Sequence, residues 1–315
     1  MLVTLFQIQE AAERIKDFAF KTPVLTSSFI DNMVGANLFF KCENFQRTGS
    51  FKMRGASNAI LSLTDEKAKN GVATHSSGNH AQAVAYAAYR HEIPAYIIMP
   101  TNAPKVKIEG VKRWHGQIHF CEPTLEAREA TLNQVVAKTN AEFIPPFNDE
   151  RIIAGQATCA KELIEEVKNL DIVIAPVGGG GLLSGTALST HYLLPNAQTI
   201  GAEPALADDA FRSFQSGQIA PVMRIDTIAD GLRTSLGEKT FAVIKQYVSK
   251  IALTKEETII KAMRMVWEEM KIIIEPSCAV PLAIILDNPD IITENQRIGL
   301  ILTGGNVDLD KLPWQ

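Results

Sequence analysis

The strongest constraint on this chain is an alternation. From about residue 72 to residue 303, short apolar runs alternate with segments of helical period. Residues 72–74, 95–99 (AYIIM), 117–120, 171–177 (DIVIAPV), 199–202 and 297–303 (RIGLILT) read as strands. Residues 80–90, 105–113, 125–138, 153–168 and 182–190 between them read as helices. Strands that are apolar throughout are buried on both faces, as in a parallel sheet covered by helices. Successive parallel strands then need right-handed crossovers. The expectation is an α/β protein with parallel sheets. Its ligand loops should lie at the carboxyl ends of the strands, for example residues 76–80 and 178–181.

Before this region, Thr4 and Gln7 suit a capping box, and Ile8, Ala11, Ile15 and Phe18 share one helix face ended by Pro23. Residues 37–41 (NLFFK) read as a further strand, and Thr254 with Glu257 reads as the cap of a helix running to about Lys271. At 315 residues there is room for about two domains. Such a chain buries about three quarters of its unfolded surface, so no disulfide or structural metal is needed to hold a core. Pro145 and Pro146 form the best hinge candidate.

Composition excludes several classes. With 46% hydrophobic and 21% charged residues the chain is not a disordered one. Its 31 basic and 35 acidic residues leave a net charge of −4, which argues against a nucleic-acid binder with a broad basic field. No uncharged apolar run reaches about 18 residues, so no membrane span is expected. The N-terminus lacks the basic region of a signal peptide. Cys42, Cys121, Cys159 and Cys278 are scattered without a C-x-x-C, as buried free thiols of a reducing cytoplasm would be. His115 and His119 are taken as structural, because Gly116 interrupts their spacing.

Four segments could carry chemistry. Gly178, Gly179, Gly180 and Gly181 follow a buried strand and precede a helix. Consecutive N–H groups there can form a nest for a phosphate. The run matches neither G-x-G-x-x-G nor a Walker A loop, since no Lys follows Gly185. A tight turn would also use glycine, but four exceed what a turn needs. The second segment, Ser76-Ser77-Gly78-Asn79-His80, offers donors to an anion such as a carboxylate, and alone it reads as an ordinary N-cap. In the third, Lys52 lies in a glycine-flanked stretch (GSFKMRG); a desolvated Lys makes a nucleophile or base, although most lysines are simply solvated. The fourth, Glu203 with Asp208 and Asp209, suits Mg²⁺ or Ca²⁺. By themselves those acids read more simply as helix N-terminal residues favoured by the dipole.

Taken together, SFKMRGA at 50–56, SSGNHAQA at 76–83, CEPTLEAR at 121–128, IAGQAT at 153–158, VGGGG at 177–181, GAEPALADD at 201–209, TIADGL at 227–232 and LTGGNVD at 302–308 resemble the serine/threonine dehydratase and serine racemase family. These are pyridoxal-phosphate enzymes of the tryptophan-synthase β-subunit fold type. The resemblance implies two parallel-sheet domains: a large cofactor-binding one (residues 1–70 and 146–315) and a small mobile one (71–145). It implies that Lys52 forms the Schiff base with pyridoxal phosphate, that Phe51 lies against the ring, and that Gly178, Gly179, Gly180, Gly181 and the Leu182 N–H cradle the phosphate. Asn79 would bond the ring hydroxyl, Asn148 would face the cofactor, and Thr303 would meet the pyridine nitrogen. Ser76, Ser77, Gly78 and His80 would hold the substrate carboxylate, with Arg128 reaching the pocket. Ser77 would be the second base needed for racemisation. Glu203, Asp209 and the Ala207 carbonyl would form the racemase branch's metal site.

The implied activity is dehydration of L-serine and L-threonine to a 2-oxo acid and ammonia, with serine racemase or 3-hydroxyaspartate dehydratase as alternatives, in a cytoplasmic homodimer. Against these stand a non-catalytic nucleotide-binding α/β protein and an inactive scaffold; Lys52 and Asn79 argue against the scaffold. Ala81 stands where some relatives carry Gly, and Thr303 where Ser or Cys is more usual. No C-terminal regulatory domain is expected beyond Asp308.

Overall fold

The computed structural model describes residues 3–76, 78–103 and 105–315. In chain order its elements begin with α1 (Leu5–Ile15), β1 (Val24–Leu25), α2 (Ser28–Val34), β2 (Asn37–Cys42), α3 (Lys52–Leu61) and α4 (Asp65–Lys69). Next come β3 (Val72–His75), α5 (Asn79–Arg90), β4 (Ala95–Pro100), α6 (Lys105–Lys112), β5 (Gln117–Cys121), α7 (Leu125–Thr139) and β6 (Glu142–Phe143). The rest are α8 (Glu150–Glu166), β7 (Ile172–Pro176), α9 (Gly181–Leu193), β8 (Gln198–Pro204), α10 (Asp209–Ser216), α11 (Glu238–Tyr247), β9 (Lys250–Thr254), α12 (Glu256–Met270), α13 (Pro276–Asp287) and β10 (Arg297–Leu302).

Two sheets result. One runs β1-β2-β10-β7-β8-β9 and the other β5-β4-β3-β6. Every pairing is parallel except β1 with β2. The parallel α/β expectation therefore holds, and its cause is visible in β7, where all five residues are buried. β10 lies between β2 and β7, pairing Leu300 with Phe40 on one side and Ile174 on the other. These side chains join Ile200, Met263 and Leu282 in the largest apolar core. The second sheet packs its own core, around Val72, Val84, Ile97 and Ile144.

Two local expectations need correction. The first helix stops at Ile15 rather than at Pro23. The Thr254–Glu257 capping box does not form: α12 is preceded by Lys255 and has no side-chain cap from its own start. Asp287, at the end of α13, takes the role from a distance. It accepts from Thr254 Oγ1 (2.7 Å), Lys255 N (2.9 Å) and Thr258 Oγ1 (2.7 Å). Residues 276–287 form a buried helix despite Pro281 inside it. It is apolar on all sides, so no helical stripe marks it in the sequence. The four cysteines are free and buried, as expected.

α3 is held rigidly. Arg54 is fully buried and pairs with Glu43 (Nε to Oε2, 2.8 Å) and Glu162 (NH2 to Oε2, 2.7 Å). Lys41 joins the same Glu162 at 2.7 Å. Where α3 crosses α8, a Cβ built on Gly155 would lie 2.6 Å from Gly55 Cα. That closeness sets the start of α3 beside the start of α8.

Candidate active site

The carboxyl end of β10 brings the first pieces together. Phe51 N donates to Thr303 O at 3.0 Å, and Ser50 bridges Gly304. Lys52 opens α3, and its Nζ donates to Pro146 O at 2.8 Å. Burial lowers the amine's pKa to about 8 from 10.5. The next residue, Phe147, packs on the glycine loop: a Cβ on Gly179 would lie 2.2 Å from its ring, and one on Gly181 3.1 Å from its Cβ. The Lys52 amine and the glycine run thus converge on two consecutive residues, Pro146 and Phe147.

Each glycine of the run has a packing reason as well. Gly178 faces Leu232 Cα (2.9 Å from a built Cβ) and Gly180 faces Thr240 Cβ (2.8 Å) with φ +87°. Thr240 Oγ1 donates to Gly179 O at 2.8 Å, which pins the loop's carbonyl side. On the other side, the N–H groups from Gly178 to Leu183 donate to no protein acceptor among the described residues. Six successive free donors at a helix N-terminus suit a phosphate. A half-buried, easily deprotonated amine beside them suits an aldehyde, so the residues present fit pyridoxal phosphate.

The segment after β3 departs in part from expectation. Gly78 N donates to Ser76 Oγ at 3.3 Å, and α5 begins without a side-chain cap, leaving donors for an anion. His80, however, turns inward. It is buried, its Nε2 lies 3.0 Å from Ile144 O, and burial with the nearby Lys52 charge lowers its pKa to about 3. It is therefore a neutral side chain committed to the loop before Pro145, and only its backbone can meet a carboxylate. Ser77 lies outside the described residues.

Asn79 donates through Nδ2 to Glu275 Oε1 (2.7 Å) and accepts at Oδ1 from Asn306 Nδ2 (2.9 Å). Asn148 is committed at one end of its amide. Its Oδ1 accepts from Lys239 N at 2.9 Å, so it braces the start of α11, with only its amide nitrogen left uncommitted. Arg128 sits on α7 with its Nε on Thr124 O (3.3 Å). Its charge adds to burial in lowering the pKa of His75 at the end of β3.

Glu203 and Asp209 meet at the end of β8. Glu203 accepts from Ala210 N (2.8 Å) and Phe211 N (2.7 Å), and burial still pushes its pKa up to about 9. Asp209 is buried with neither carboxylate oxygen partnered, and burial raises it to about 6. Ala207 is buried beside them in sequence. Among the described residues, no three His, Cys, Asp or Glu side chains gather as a metal cage. A site here would therefore rest on these two acids plus backbone oxygen.

Sequence reasoning missed Pro146, Phe147, Glu275 and Asn306. Asn306 lies within a motif that was noticed, LTGGNVD. Glu275 stands just before a proline-opened helix, where a carboxylate reads as an ordinary cap.

Comparison with known proteins adds the rest. The model of a family described as "Pyridoxal-phosphate dependent enzyme" matches residues 15–304. A β-hydroxyaspartate dehydratase of Paracoccus denitrificans is 50% identical over 304 residues, 96% of each chain. A serine racemase of Dictyostelium discoideum is 48% identical over 98% of this chain and 97% of its own. The solved maize serine racemase superposes with a TM-score of 0.96 at 43% identity, covering 98% of this chain and 95% of that one. Among the described residues, no helix is long and apolar enough to cross a membrane.

Proposed function

Because this chain belongs to the pyridoxal-phosphate dependent enzyme family, we propose that it is a dehydratase converting L-serine or L-threonine to a 2-oxo acid and ammonia. The observation that carries this reading is the convergence of the low-pKa Lys52 amine and the free N–H row after β7 on Pro146 and Phe147. Gly178, Gly179, Gly180, Gly181 and Leu182 would hold the phosphate, Lys52 the aldehyde carbon, Phe51 and Thr303 the ring, and Asn79 the ring oxygen. Asn148 would face it through its amide nitrogen. Bound pyridoxal phosphate would supply the electron sink that lets an amino acid lose its α-proton.

The chain's own residues would do the following. Lys52 takes the α-proton at Nζ; a general base must be neutral, and burial makes that state accessible near neutral pH. Ser76, Gly78 and the uncapped start of α5 bind and orient the substrate carboxylate. His80 holds that loop through Ile144 O. Thr303 would offer the pyridine nitrogen a hydroxyl rather than a carboxylate and so would not keep it protonated, which would favour early loss of the β-hydroxyl. Ser77, which lies outside the described residues, would act as the second base and return a proton, racemising serine as a side activity.

A second reading, 3-hydroxyaspartate as substrate, is favoured by Arg128, whose cationic group influences His75 at the mouth of β3. The 50% identical β-hydroxyaspartate dehydratase agrees with it. Mg²⁺ or Ca²⁺ would be held by Glu203, Asp209 and the Ala207 carbonyl; the two unpartnered oxygens of Asp209 suit a hard cation. The reading includes a homodimer of the cytoplasm, where four buried free thiols would persist, and residues 71–145 moving as a small domain hinged at Pro145 and Pro146.

The test is to incubate the enzyme with L-serine, D-serine, L-threonine and L-threo-3-hydroxyaspartate and to assay 2-oxo acid and enantiomer together. The expected result is 2-oxo acid from L-serine and L-threonine, lost in Lys52→Ala. Turnover of the hydroxyaspartate alone would replace the first reading with the second. A colourless protein that turns over none of the four would overturn both.

A further inference from the structure

Glu275 is a carboxylate with an unusual placement. It stands at the N-cap of α13, where an acidic side chain ordinarily accepts from its own helix, yet it makes no such bond. Its backbone N–H donates to Gly304 O (3.0 Å), which ties it to the end of β10 next to Thr303. Its side chain is buried and reaches across to α5, where Oε1 receives Asn79 Nδ2 at 2.7 Å. A Cβ on Gly304 would come within 2.6 Å of that oxygen, so the approach requires glycine there.

The Asn79 amide is oriented from both ends. Asn306 gives one N–H to Asn79 Oδ1 (2.9 Å) and the other to Thr48 O (2.7 Å). The Asn79 oxygen must therefore face Asn306 and its nitrogen Glu275. An amide nitrogen carries two hydrogens, and Glu275 takes one. One N–H remains.

We propose that Glu275 is a positioning residue for the cofactor: its carboxyl orients the Asn79 amide so that the remaining N–H donates to the cofactor's ring oxygen, and its charge decides whether that oxygen is held as an anion. This rests on the pyridoxal-phosphate reading of Lys52 and residues 178–181. A negative charge beside the ring oxygen disfavours its anionic form, and a neutral carboxyl removes that penalty. Burial, with the Asp230 charge, raises Glu275 to about 8, against the lowering effects of Lys107 and of the Asn79 hydrogen bond. Asp230, in the turn at residues 230–232, and Lys107, on α6, form an ion pair facing this carboxyl. They are the charged groups that bear on it.

The experiment records the holoenzyme's cofactor absorption spectrum across pH values on both sides of 8. In the wild type the band of the anionic ring oxygen should fall as pH rises and the Glu275 carboxyl, raised by burial, loses its proton. Glu275→Gln should keep the chromophore but abolish this titration. Lys107→Met should raise the midpoint and Asp230→Asn lower it, and both partly exposed positions leave the core untouched. Glu275→Asp should restore a titration. A titration unchanged in Glu275→Gln overturns the proposal. So do midpoints indifferent to both charge variants, even if Glu275→Gln fails to fold. A wild type that acquires no chromophore from pyridoxal phosphate instead overturns the cofactor reading, so the two failures are distinguishable.

Discussion

Replacing Lys52 with methionine should stabilise the cofactor-free protein while destroying its activity. The amine is displaced from 10.5 to about 8 by burial. At about 1.4 kcal/mol per tenfold change in a protonation equilibrium, the fold carries a penalty of about 3 kcal/mol when Lys52 is charged. Its one hydrogen bond, to Pro146 O, returns about 1 kcal/mol. Methionine has similar bulk and no charge, so Lys52→Met should gain about 2 kcal/mol at pH 7. The sign follows from the lowered folded pKa. Below 8 both folded and unfolded chains are protonated and the whole penalty applies. As pH rises from 8 to 10.5 the folded chain sheds its proton first, and the penalty fades. Urea unfolding of the two cofactor-free proteins would show this as a midpoint higher by up to about 1 M in the variant at pH 7, at an m-value of about 2–3 kcal/mol/M. The gap should narrow toward pH 10. A variant less stable at pH 7, or a gap that ignores pH, would refute the claim that the site stores free energy in a desolvated amine.

Other outcomes follow from single contacts. Gly155→Ala drives a Cβ into Gly55 Cα and Arg54 O, both backbone; it should cost about 1–3 kcal/mol despite alanine's helix preference, lowering the melting temperature. Gly55→Ala meets first the Gln156 side chain and should cost less. Asp287→Ala removes three hydrogen bonds at the start of α12 and should cost about 1–2 kcal/mol in chemical denaturation. Burial would raise this carboxyl, but bonds from Lys255, Thr254 and Thr258 hold it low, so its contribution is present near neutral pH and is lost as pH falls through the acid range. Mg²⁺ or Ca²⁺ should raise the melting temperature of the wild type and not of Asp209→Asn; equal responses would remove Asp209 from the cation site.

The parallel sheets and the position of the glycine loop were legible because both depend on neighbours in sequence. A strand buried on both faces must be apolar throughout, as β7 is, and a row of free N–H groups comes from consecutive residues, which the run of glycines marks. Lys52 was legible only as one member of an ordered set of motifs, since a lysine's burial is invisible in its own segment. Where expectation failed, the partner lay far away. The cap of α12 comes from Asp287, 33 positions beyond Thr254.

By itself, then, the order of residues determined the alternation of strands and helices, the chemistry available at each loop, and the family to which the chain belongs. Only the tertiary structure decided which way polar side chains turned. His80 faces inward to Ile144 O, and Asn79 meets a carboxylate 196 positions away. The reason is physical: period and propensity act within a few residues, whereas a buried polar group must find its partner wherever packing brings one within about 3 Å.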